Sequence, residues 1–107
     1  MADPAALHAA MNRLWEFYLP QIRERVEALR SAAASLAEGS LTGEQCKNAT
    51  AAAHNLAGVL GTFGLAEGTT LAREAEAFYG VGLPVAGTGN ARLAEVAARL
   101  SELIANR

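Results

Sequence analysis

Thr42 to Leu65, TGEQCKNATAAAHNLAGVLGTFGL, is the stretch from which the rest of the chain can be read. Thr42-Gly43-Glu44-Gln45 is a capping-box pattern, with Thr42 as N-cap and Gln45 at N3, and it opens a helix. Ala49, Ala52, Ala53, Leu56, Leu60 and Phe63 follow at helical spacing and mark the face toward a core. His54 stands two residues from Leu56, roughly 200° around the axis, so it points away from that core. Gly58 and Gly61, at i+4 and i+7 from His54, lie on the same stripe as the imidazole. Glycine within a helix costs on the order of 1 kcal/mol relative to alanine. In a chain this rich in alanine, a bare patch beside a histidine points to close approach of another molecule.

Outward from this stretch, four more helical segments can be placed. Asp3 as N-cap and Pro4 at the first helical position open the first, with Leu7, Met11, Leu14, Trp15 and Tyr18 as its apolar positions. Pro20 breaks or kinks that helix near Leu19. From about Pro20 to Ala37, a second segment carries Ile22, Val26, Leu29, Ala33 and Leu36 as a narrow seam, with Arg23, Glu24, Glu27 and Arg30 on other faces. Gly39 stops it. After the His54 helix, a fourth segment runs from near Gly64 to Tyr79 with Leu71, Ala75 and Phe78 on one face. A glycine-rich loop spans Gly80 to Gly89. The fifth segment starts at Asn90 as cap and presents Leu93, Val96, Ala97, Leu100, Leu103 and Ile104. The expected fold is all-α: an antiparallel four-helix bundle with an additional N-terminal helix, in a single domain over residues 1–107.

Composition excludes several functions. Hydrophobic residues make up 51% of the 107 residues, while one Trp, two Tyr and three Phe leave little aromatic or β-forming content. Nine basic and eleven acidic residues give a net charge of −2 with no basic stripe, which argues against nucleic acid as a partner. Cys46 is the only cysteine, so no internal disulfide forms and a thiolate zinc site is disfavoured. The N-terminus lacks a signal-peptide pattern, and Ala51 to Ala66 is too short and too interrupted to span a bilayer. A reduced cytoplasmic setting without membrane insertion is expected.

The chemistry centres on His54. Thr50, Ala51 and Ala57 keep its other neighbours short, and Lys47, at i−7, brings one positive charge within about two turns. Asn55 offers an amide. An exposed imidazole in a small-residue clearing is a nucleophile within reach of a large partner, and its neutral form keeps the lone pair that attack on phosphorus requires. No carboxylate stands at i±3 or i±4 of His54, and Cys46 is eight residues away, so no hydrolytic triad is apparent. His8 and His54 make a weak metal pair. Three readings follow: a phosphocarrier, a docking scaffold, and a helical-bundle metal or cofactor carrier, for which two widely spaced histidines are a poor ligand set.

His54, Leu56, Gly58, Gly61, Phe63, Gly64 and Leu65 together resemble the histidine-containing phosphotransfer (HPt) domain family. The Leu14-Trp15-Glu16-Phe17 block and the run Leu71-Ala72-Arg73-Glu74-Ala75-Glu76 are similar to members of that family as well. The resemblance covers nearly the whole chain and departs at Ala57, where the family usually has lysine. It implies a phosphorelay intermediate, not an enzyme. His54 would accept a phosphoryl group through Nε2 from an aspartyl-phosphorylated receiver domain and pass it to another receiver. Lys47, Thr50, Ala51, Asn55, Ala57, Gly58 and Gly61 would meet the partner. Response-regulator receivers, and a hybrid histidine kinase upstream, are the implied partners. No cofactor is expected in this chain, with Mg²⁺ belonging to the receiver. The alternative is a receiver-docking scaffold that takes no phosphate, and Ala57 favours it.

Overall fold

The Asp3 carboxylate accepts a hydrogen bond from the Ala5 N–H at 3.1 Å, and Pro4 occupies the first helical position, starting helix α1 (Pro4–Glu38). The computed structural model describes residues 3–84 and 89–107; residues 85–88 of the expected Gly80–Gly89 loop, and Met1 and Ala2 of the expected leaderless N-terminus, lie outside that description. Three further helices follow: α2 (Gly43–Thr62), α3 (Ala66–Gly80) and α4 (Asn90–Ala105). All four regular elements among the described residues are helical.

The two segments expected on either side of Pro20 are one helix. α1 runs unbroken for 35 residues with Pro20 inside it, so the described residues form four helices with no separate N-terminal one among them. An interior proline costs roughly 3 kcal/mol relative to alanine. Trp15 on one side of it and Ile22, Val26 and Leu29 on the other are all buried, and that burial offsets the cost. Pro20 itself faces solvent.

At about 1.5 Å per residue, α1 is roughly 52 Å long, matching the 54 Å long axis of the molecule, and the other helices are too short to cover it. Its first turns therefore overhang the bundle. The expected apolar face of Leu7, Met11, Leu14, Trp15 and Tyr18 is buried only at Trp15; Leu7 is 59% and Leu14 47% exposed. Trp15 packs edge-on against Phe63 with ring centroids 5.2 Å apart, and the Arg107 guanidinium lies 4.7 Å over the indole.

Glycine ends two helices in the left-handed conformation. After α1, Gly39 (φ 73°) lets the Ser40 N–H reach the Ser35 carbonyl. After α2, Gly64 (φ 75°) does the same between Leu65 and Leu60. Both turns are short, so α2 packs antiparallel to α1 and α3 antiparallel to α2. α4 closes the square between α3 and α1. Its N-cap is Gly89 (φ 76°) rather than Asn90, which is already the first helical residue.

The core is built largely of small side chains. Ala32, Ala33, Ala49, Ala53, Ala72, Ala75 and Ala97 are buried together with Leu56, Leu60, Val96 and Leu100. On α3 the inward side is Leu71, Ala72, Ala75 and Tyr79; Phe78, expected on that face, is only half-buried. Two forked ion pairs strap α3 to α4: Arg92 holds Glu74 at 2.6 and 2.8 Å, and Arg99 holds Glu67 at 2.7 and 2.9 Å. These arginines hold both carboxyls below the usual carboxylate range. The pairs are exposed, so they set register more than they add stability.

Tyr79 is 2% exposed and its hydroxyl has no hydrogen-bond partner among the described residues. Burial, with a smaller contribution from the Cys46 thiol, pushes the phenol from 10 up to about 12. The ionised form is thus disfavoured in the fold. This residue's share of stability is full below pH 10 and is lost as pH rises to about 12. Tyr79→Phe removes the orphaned hydroxyl and should gain about 1 kcal/mol at neutral pH. It should also lose the alkaline fall in stability over that window, both read by urea unfolding across pH.

Candidate functional site

The capping box of α2 forms as its sequence dictates. The Thr42 Oγ1 accepts from the Gln45 N–H at 3.1 Å, and the Gln45 Oε1 accepts from the Thr42 N–H at 3.0 Å. With its start pinned, α2 turns Cys46, Ala49, Ala53, Leu56 and Leu60 inward. His54 faces away from them, its side chain 73% exposed.

α3 supplies a partner for that ring. Glu76 Oε2 lies 2.7 Å from His54 Nδ1. An ionised carboxylate only accepts hydrogen bonds, so Nδ1 donates and carries the proton of the neutral ring. The lone pair then resides on Nε2, on the solvent side. Glu76 is held at this height because Ala72, Ala75 and Tyr79 turn inward and leave it on the shoulder of α3. Sequence reasoning missed it by looking for a carboxylate only on the histidine's own helix. The available signal was Glu76's place next to Ala75 on a helix joined to α2 by a three-residue turn.

Close contacts lock α2 to α3. The Thr69 hydroxyl donates to the Ala57 carbonyl at 3.0 Å. A Cβ at Gly61 would come within 3.3 Å of the Thr69 Oγ1, and one at Gly80 within 3.7 Å of the Thr50 Cγ2. These approaches hold the Glu76 carboxylate against the imidazole.

The expected contact residues do not share one surface. Lys47, Thr50, Ala51 and Asn55 line one groove with His54 and Glu76, about 730 Å³ in volume, running between α2 and α3 toward the start of α2. The Thr50 hydroxyl is already engaged, donating to the Cys46 carbonyl at 2.7 Å. Gly58 lies on the other side of the ring, where an added Cβ would meet nothing within 4 Å. Gly61 is exposed, but its missing side chain accommodates Thr69. Ala57 does not stand in the clearing: it is 7% exposed and turned toward α3. Cys46 is buried in the inner wall of the groove, and burial pushes its thiol up. Among the described residues no three His, Cys, Asp or Glu side chains cluster as metal ligands, and no helix is long and apolar enough to cross a membrane.

This arrangement presents an oriented nucleophilic nitrogen on a rigid helix, with a carboxylate behind it and open space beside it. A family model described as the Hpt domain matches residues 13–106, nearly the whole chain. Neither a curated protein nor a solved structure matches it significantly. Domains of that family are phosphocarriers, not catalysts, and work with receiver domains and kinases in two-component phosphorelays.

The Glu76 contact makes a spectroscopic prediction. In the wild-type protein the neutral His54 ring should be mainly the Nδ1–H tautomer. Glu76→Ala should move the population toward Nε2–H with the helical content unchanged. Long-range ¹H–¹⁵N correlation spectra of the imidazole read the tautomer directly.

Proposed function

From the premise that this chain belongs to the Hpt domain family, we propose that His54 is its phosphoacceptor. It takes the group from the phosphoaspartate of a response-regulator receiver and returns it to a second receiver. The observation that supports this most is the held imidazole: Nδ1 donates to Glu76 at 2.7 Å, which leaves the Nε2 lone pair as the nucleophile, and Gly58 one turn further along the helix adds no side chain to the approach.

In the proposed step the Nε2 lone pair attacks phosphorus in line. The Nε2–P bond forms as the bond from phosphorus to the aspartyl oxygen breaks, and that electron pair returns to the aspartate as carboxylate. The ring becomes a phosphoimidazolium, and Glu76 offsets the positive charge that appears at Nδ1–H. The receiver supplies Mg²⁺ and its own lysine on the aspartate side. This chain contributes position: a rigid helix fixes the ring, and Gly58 admits the partner's loops. Lys47, Thr50, Ala51 and Asn55 belong to the contact surface along the adjoining groove.

A receiver-docking scaffold that takes no phosphate is the second reading, and the feature in its favour is Ala57 in place of the family's lysine. Incubation with a phosphorylated receiver separates the two. A carrier acquires acid-labile label that is lost in His54→Gln, whose fold is retained; a scaffold binds and stays unlabelled. Label persisting in His54→Gln would refute the assignment.

Gly58→Gln should keep or raise helix stability, by up to about 1 kcal/mol, because the site has room for a side chain. It should also block transfer by filling the approach. Thermal unfolding and transfer rates check the two halves, and wild-type transfer in this variant would remove the steric role of the clearing.

A further inference from the structure

A phosphoryl group on His54 would put about two negative charges beside the Glu76 carboxylate, on a helix whose position 57 is alanine. A cation facing that charge would stabilise it. On α2 the nearest is Lys47, seven residues and about 10.5 Å along the axis, on the far side of His54 from Gly58. α3 offers a closer one.

Two contacts fix the alignment of the helices: Thr69 with the Ala57 carbonyl, and Glu76 with His54. Arg73 lies between them on α3, four residues after Thr69 and three before Glu76. Because the helices run antiparallel, three residues back from Glu76 is about 4.5 Å further along α2 from His54, which is the height of Ala57. At about 100° per residue, Arg73 is rotated some 60° outward from Glu76, on the exposed shoulder next to the clearing. Ala57 is short and turned toward α3, and no atom lies within 4 Å of the Cβ position at Gly58.

Arg73 is also uncommitted. Among the described residues it makes no ion pair, whereas Arg92 and Arg99 are each engaged by two carboxylates. We infer that Arg73 is the charge partner of the phosphoryl group on His54, delivered from α3 to the space that a lysine at position 57 would serve from α2. A guanidinium suits this role because its planar fork takes two phosphoryl oxygens at once. The inference rests on the reading of His54 as phosphoacceptor.

Phosphoramidate, a small donor that needs no partner protein, tests both ideas separately. Wild type, Arg73→Ala, Arg73→Lys and, as a charge control on α1, Arg23→Ala are phosphorylated chemically and followed by ³¹P NMR with circular dichroism as the fold check. Arg73→Ala should lose phosphoryl group roughly tenfold faster than wild type, the scale of one charge-assisted hydrogen bond. Its phosphoryl resonance should titrate at higher pH, since a nearby cation favours the dianion. Arg73→Lys should restore much of both, and Arg23→Ala should match wild type. Equal lifetimes and equal titration in Arg73→Ala and wild type would overturn the role of Arg73 while leaving His54 as acceptor. No label on wild-type His54 would remove the acceptor reading and this inference with it.

Discussion

The close seam between α2 and α3 is the constraint on which the site depends. It is made by small residues: Gly61, where an added Cβ would crowd the Thr69 hydroxyl at 3.3 Å, and the buried alanines behind it. Helices faced with such residues approach closely, and a close approach has few acceptable registers. The Thr69 hydroxyl on the Ala57 carbonyl selects one of them. In that register a carboxylate on one helix meets an imidazole on the other. A shift by one residue would turn Glu76 about 100° away and leave His54 without a partner.

The consequence for chemistry is orientation. A solvent-facing histidine with no partner distributes its proton between two nitrogens and its ring among several rotamers. Glu76 restricts both freedoms at the cost of placing a negative charge behind the ring that we propose as the phosphoacceptor. That cost is tolerable because the carboxylate meets Nδ1, the position where positive charge appears, and stays partly solvated. On the proposed reading, the open ground on the Gly58 side is the approach for both the partner and the compensating cation.

Much of this was legible in one dimension. The capping box, the spacing of Ala49, Ala53, Leu56 and Leu60, and the outward position of His54 follow from helix geometry, which is local. Pro20 marks a break or a kink by local rules, which give proline a cost and cannot see what offsets it. Trp15 and Ile22, buried on either side, carry α1 through. The same long helix explains why Leu7 and Leu14 stay in solvent: amphipathic spacing tells which face is apolar, not whether a neighbour is long enough to cover it.

Sequence alone determined the helical class, the start of α2 and the direction in which His54 points, because each depends on residues within a few turns of one another. Tertiary structure decided what stands opposite that histidine. Glu76 and Arg73 are 22 and 19 residues away along the chain, and only the packing of α3 on α2 brings Glu76 to the height of His54 and Arg73 to that of Ala57, about one turn further along. It also decided that Ala57 turns inward and that the bareness of Gly61 serves Thr69, since neither can be seen without the neighbouring helix in place.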